Sequence, residues 1–172
     1  ENGSGYRRDT SNALPGYVTC PYTPRYPFGF GLSYTAFTYE RLAVEKDAYK
    51  PGEDVAVTVR IANTGPCFGT ETVQLYVQDV EASTVRPALE LAGAKRVALA
   101  PGARATVRFV FPVTQLALVG RDMRWRVEKG LVRVLAGPSS DTLPLAGSFT
   151  ITEDRILPSG RHRGYYARAE LV

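Results

Sequence analysis

Val55, Val57, Val59 and Ile61 alternate with Ala56, Thr58 and Arg60. A two-residue period held over such a run is the mark of a strand with one buried and one solvated face. The same texture returns at Val73, Leu75 and Val77, and again at Ala105, Val107, Phe109 and Phe111, which alternate with Thr106, Arg108 and Val110. Phe37–Val44 reads as the first strand, and Leu89–Leu99 as another, with Leu91 and Val97 directed to the core. Met123–Val127, Leu131–Leu135 and Leu143–Ile151 complete the set.

Between these runs stand turn residues. Lys50-Pro51-Gly52-Glu53 and Pro101-Gly102 pair a proline that presets its dihedral with a glycine free to take a positive one. Asn63-Thr64-Gly65-Pro66 and Glu128-Lys129-Gly130 close two further strands. The sum is seven or eight short strands with no helix longer than a turn. One-sided alternation implies antiparallel sheets, each with a wet face. Two of them packed face to face give an all-β, two-sheet antiparallel sandwich of fibronectin type III or immunoglobulin-like character. The Cys and Trp spacing of an antibody domain is missing, which favours the fibronectin variety.

The chain has 172 residues and a formal charge of +4. Its basic residues are scattered in pairs, and only Arg161-His162-Arg163 forms a small cluster. Nucleic-acid binding, which needs a concentrated basic face, is therefore not expected. No run approaches the roughly 18–20 apolar residues of a membrane helix. Starting at Glu1, the sequence reads as a processed or excised piece, and compartment is left open. Cys20 and Cys67 are too few for a disulfide framework or a zinc site, and are expected as free, buried thiols rather than as a pair. No cofactor or metal is expected.

Three segments follow: 1–34, 35–152 and 153–172. The first ends in Tyr26-Pro27-Phe28-Gly29-Phe30-Gly31-Leu32-Ser33-Tyr34-Thr35, a stretch too rich in Gly and aromatic residues for regular structure. Tyr26, Phe28 and Phe30 alternate with Pro27 and Gly29, so an extended path would place their rings on one face. It reads as a fixed connector pressed against another surface. The last segment reads as a surface arm, anchored by Tyr165 and Tyr166.

The connector, followed by Phe37 and Tyr39, resembles the junction in glycoside hydrolase family 3 enzymes that leads from an α/β-sandwich domain into a C-terminal fibronectin type III-like domain. Thr70–Val77 is similar to that domain's third strand, Arg86-Pro87-Ala88-Leu89-Glu90-Leu91 to its Arg-Pro-x-x-Glu-Leu segment, and Ala136–Asp141 to its Gly-x-Ser-Ser corner. These motifs cover roughly residues 24–152, so residues 1–23 would end the preceding domain. The resemblance implies an accessory module that packs against the catalytic barrel and α/β-sandwich domains of one parent chain. Retaining hydrolysis of glycosidic bonds needs two carboxyl groups about 5 Å apart. In the family the nucleophilic Asp lies on the barrel and the acid/base Glu on the α/β sandwich. Neither segment is present in this sequence, so the chain by itself is expected to be catalytically silent.

Single residues agree with that expectation. His162 lies between two arginines, a poor setting for a base. Asp79 with Glu81, and Asp122 with Glu128, are the available carboxylate pairs, and neither context suggests a raised pKa. Trp125 reads as a core residue beside Met123 and Val127, or else as a platform for a sugar ring. Tyr76 is the lone ring among the outward positions Thr58, Arg60, Gln74, Thr106 and Arg108. A polysaccharide is the partner under the rival reading, a carbohydrate-binding module; Tyr76 and Trp125 would make its contacts. A free-standing interaction domain is a third reading, but it leaves the connector's aromatics unexplained. Tyr26, Phe28, Phe30 and Tyr34 are the residues expected at an interdomain contact.

Overall fold

The computed structural model describes residues 24–159, 164 and 167–172. Cys20, His162, Tyr165 and Tyr166 lie outside them, as do residues 1–23 and the Arg161–Arg163 cluster. The strands are β1 (Phe37–Val44), β2 (Ala48–Tyr49), β3 (Asp54–Asn63), β4 (Gly69–Asp79), β5 (Glu90–Leu99), β6 (Arg104–Pro112), β7 (Leu118–Val119), β8 (Trp125–Val127), β9 (Gly130–Gly137), β10 (Leu145–Ile151), β11 (Arg155–Ile156) and β12 (Arg168–Leu171). The one helical element described is a 3-10 turn, Val113–Leu116.

Two sheets form the sandwich, in the orders β1-β3-β6-β12 and β2-β10-β9-β4-β5. A small third sheet, β11-β8-β7, caps one end. Pairing is antiparallel except for the short β2/β10 contact, which is parallel. Register places Val57 opposite Phe109 and Val59 opposite Val107, so the alternation of two sequence-distant runs lands on one face. Against that face the second sheet lays Val73, Leu75, Val132, Val134 and Phe149 in a single core. Each of these side chains is fully buried and contributes about 1.5–3 kcal/mol relative to exposure. Gly147 sits under Leu42 and Val44 and lets the sheets close on that side.

Some expectations change. Leu91 is 40% exposed rather than core. A bulge between Leu75 and Tyr76 pairs Tyr76 with Leu91 and Leu75 with Gly93. The extra residue, Ala92, takes the buried place. Met123 does not share a core face with Trp125. It occupies a turn at φ 61° and is 81% exposed, held by its N–H to Gly120 O at 3.0 Å. Trp125 is half-buried and packs against the core. Gly102 takes a positive φ of 75° as the Pro-Gly pattern suggests, but Gly52 does not. The Lys50 turn closes instead through Glu53, whose N–H donates to Lys50 O and whose carboxylate accepts from Lys50 N–H. Cys67 is exposed, not buried.

The final segment is more than an arm where it is described. β11 joins the small sheet, and β12 adds an edge strand to β6, with Ala169 resting on the core. Ala167 leads into it, donating its N–H to Ala92 O at 3.0 Å and lying close over Gly93.

Candidate functional site

The connector is not extended. Phe30 N–H donates to Pro27 O at 3.0 Å, and Gly29 takes φ 79°, which makes a type II turn with glycine where a positive φ is required. The turn, not the two-residue period, brings the rings together. Tyr26 and Phe30 lie with centroids 5.2 Å apart and tilted by 37°, a favourable aromatic geometry. Arg25 stands 5.8 Å from the centre of the Tyr26 ring.

Its backbone is tied to the sandwich. Ser140 N–H donates to Phe28 O at 2.9 Å. Gln74 Nε2 donates to Gly29 O at 3.2 Å and to Pro138 O, while its Oε1 accepts from Tyr76 Oη at 2.6 Å. A Cβ on Gly29 would stand 2.2 Å from Gln74 Oε1, so glycine is needed here for close approach as well as for its dihedral. Gln74 and Tyr76 are outward strand positions, yet both are buried: Gly29 of the connector lies against Gln74, and the Tyr76 hydroxyl is taken up by Gln74. Tyr76 is only 2% exposed, and burial pushes its hydroxyl up to about 12. The expected outward ring is thus an internal residue, shut off from any sugar.

Asn63 holds the other end. It is fully buried, and its Oδ1 accepts from Thr35 Oγ1 at 2.7 Å and Gly65 N–H at 3.1 Å. Its Nδ2 donates to Cys67 O at 2.8 Å and Leu99 O at 2.9 Å. One side chain therefore joins the end of the connector, the β3–β4 loop and the end of β5. With the backbone fixed at both ends, the side chains of the connector project outward. Tyr26, Phe28 and Phe30 are exposed, and Tyr34 is 99% exposed. Of these rings, Tyr26 and Phe30 are in contact, and all four leave apolar surface open to solvent.

Elsewhere the charged groups serve the fold. Arg86, with its side chain 9% exposed, forks between Asp79 Oδ2 at 2.9 Å and Glu90 Oε1 at 2.7 Å, while also donating to Leu116 O at 2.7 Å. This gives the Arg-Pro-x-x-Glu-Leu segment a physical reason: it clamps the loop after β4 onto β5 and the 3-10 turn. Burial raises the Asp79 carboxyl, against the expectation for that pair, although Arg86 pulls the other way. Asp122 is paired with Arg126, and Glu128 accepts from Ser83 N–H and Oγ. Burial likewise raises Glu71, which accepts from Tyr39 Oη at 2.9 Å.

Sequence reasoning pointed to the exposed rings but not to Gln74 and Asn63, which frame them. Gln74 was hidden as one more polar position in an alternating strand, and Asn63 as one more turn residue.

Comparison with known proteins places this architecture. Residues 71–140 match the family model of the fibronectin type III-like domain. The chain is 38% identical over 136 residues to thermostable β-glucosidase B of Acetivibrio thermocellus, covering 78% of this chain and 18% of the relative. It is 39% identical over 118 residues to a β-xylosidase of Formosa agariphila, with 69% and 16% covered. Among solved structures, β-glucosidase 3B from Thermotoga neapolitana superposes with a TM-score of 0.72 at 37% identity, over 78% of this chain and 18% of that one. The chain spans less than a fifth of the length of these relatives. It belongs to the fibronectin type III-like domains of glycoside hydrolase family 3.

Proposed function

We propose that this domain is a non-catalytic accessory module of a longer retaining glycosidase, whose catalytic carboxylates lie outside this chain. It docks on the catalytic domains through Tyr26, Phe28, Phe30 and Tyr34 and helps to hold their relative orientation. The observation that carries this reading is the fixed frame beneath exposed rings: Gln74 and Ser140 pin the connector's backbone while its aromatic side chains face outward. A preformed apolar face needs little ordering on docking, which leaves more of the burial energy as net affinity. Orientation matters because a retaining site sets its two carboxyl groups about 5 Å apart, and a 1 Å misplacement costs on the order of a hundredfold in rate.

Phe28→Ala with Phe30→Ala in the longer chain tests the reading. The double variant is expected to lower the thermal transition and the glycosidase activity together. Stability and activity equal to the parent's would refute it. The carbohydrate-binding alternative draws little support, because Tyr76 is internal and Trp125 is half-buried against the core.

A further inference from the structure

The wet face of the first sheet carries a pairing that strands ordinarily avoid. Arg41 of β1 lies directly opposite Arg60 of β3, and like charges in that position repel. A bulge puts them there. Tyr39 pairs with Ile61 and Arg41 with Arg60, so Glu40 is the extra residue. An unbulged register would set Glu40, not Arg41, opposite Arg60. Set out of the ladder, Glu40 accepts from Arg60 Nε at 3.0 Å and from Arg104 Nε at 2.9 Å. In the next row, Arg108 is held by Glu45 at 3.2 Å and Glu170 at 3.6 Å. Arg41 is exposed and has no acidic partner among the described residues.

The two arginines line an open groove of about 310 Å3 together with Ala43, Thr58 and Thr106. Register explains the set. Arg41, Arg60 and Thr106 form one row across three strands, and Ala43 and Thr58 begin the next. Ala43 brings only a methyl where a longer side chain would fill the space. Thr58 Oγ1 reaches Ala43 O at 3.4 Å, long for a hydroxyl donor. Thr106 Oγ1 has no hydrogen-bond partner among the described residues.

We infer that this groove binds a tetrahedral oxyanion, phosphate or sulfate, between the guanidinium groups of Arg41 and Arg60 and within reach of the two threonine hydroxyls. Such an ion turns the repulsion of a facing pair into charge-assisted hydrogen bonds. Glu40 meets Arg60 at Nε, which leaves that guanidinium's other donors for a ligand, and Arg41 offers its whole fork. Donors arriving from three strands suit an ion with oxygens on all sides better than a flat carboxylate. The volume stands at the lower end of small-molecule sites, about 300 Å3. A bare ion leaves part of it open, so the oxyanion is either free or an ester carried on one sugar ring. This site is independent of the docking role proposed above.

Amide chemical shifts of the 172-residue chain, followed by NMR, test it. Sodium phosphate, sodium sulfate, glucose 6-phosphate and glucose are titrated in turn at constant ionic strength. Phosphate and sulfate are expected to saturate with a Kd of about 1–10 mM, moving Arg41, Thr58, Arg60 and Thr106 first. Arg41→Gln should weaken binding about tenfold or more. Arg133→Gln removes the same charge from an exposed position on the other sheet and should leave the affinity unchanged. Glucose 6-phosphate binding tighter than phosphate would identify an ester as the ligand, and equal affinity the free ion; both uphold the site. Shifts spread over the whole surface, failure to saturate, equal losses in the two variants, or binding of glucose itself would overturn the inference.

Discussion

Replacing Asn63 by alanine removes four hydrogen bonds at once, two accepted by Oδ1 and two donated by Nδ2. Each contributes about 1 kcal/mol net. Thr35, Gly65 and Cys67 lie near enough to the surface for water to replace the lost partner. Leu99 O does not, and leaving such a buried acceptor unpaired costs a further 1–3 kcal/mol or so. Partial recovery by water offsets part of this, so the expected loss is about 4 kcal/mol, a large share of the roughly 5–15 kcal/mol that holds a domain together. Urea denaturation of the 172-residue chain measures it directly. Asn63→Asp adds a sharper test. The shape and both Oδ1 bonds are kept, but the twice-donating Nδ2 becomes a single carboxylate oxygen facing Cys67 O and Leu99 O. Burial and those carbonyls raise the new carboxyl's folded pKa above its unfolded value of about 3.9. The variant is therefore least impaired below about pH 4. Its deficit grows as pH rises through the folded pKa, by about 1.4 kcal/mol for each unit of the shift. A deficit that does not change with pH, or an Asn63→Ala loss below about 1 kcal/mol, would refute the reasoning.

Two further outcomes follow from close contacts and burial. Gly137→Ala places a Cβ 2.0 Å from Thr142 O and 2.9 Å from Leu143 Cα. Both are backbone atoms that no rotamer change can move, so a loss of about 3 kcal/mol is expected in urea unfolding, and an unchanged midpoint would contradict it. Glu71→Gln keeps an acceptor for Tyr39 Oη and removes a carboxyl that burial holds above its ordinary value of 4.5. A raised acid destabilises the fold once ionised, so the parent loses stability as pH rises from 4.5 through the folded value. The variant should then melt higher than the parent at pH 7, with the gap closing near pH 4; a gap independent of pH would contradict this.

The body of the sandwich was legible because its signal is local. Val55, Val57, Val59 and Ile61 declare one buried face without reference to any other residue, and all four are buried. Errors came where a distant partner decides. Leu91 looks like a core residue until the bulge opposite Tyr76 hands its place to Ala92. Tyr76 looks solvated, yet it is buried and donates its hydroxyl to Gln74, which is itself tied to the connector. Met123 fits the alternation of β8, but the turn at Gly120 ends the strand pattern before reaching it. The connector shows the same division. Its aromatic content and its glycines were plain, and the exposure of Tyr34 follows from them. Its path was not, because the positive φ of Gly29 is chosen by Gln74, whose amide reaches across from another strand.

The pairing of β12 with β6 also bears on how the chain is made. Leu171 lies opposite Val107, and Arg168 opposite Val110, so about sixty residues separate the end of β6 from the strand that covers its edge. At the roughly 5–20 residues per second of synthesis, β6 waits about 3–12 s for that partner. Its other edge is filled sooner, since β3 precedes it. During the interval an exposed strand carrying Phe109 and Phe111 offers unpaired backbone groups to any neighbouring nascent chain. A nascent chain that has passed β6 but not β12 thus presents an open strand edge, and the charged strand Arg168-Ala169-Glu170-Leu171 closes it.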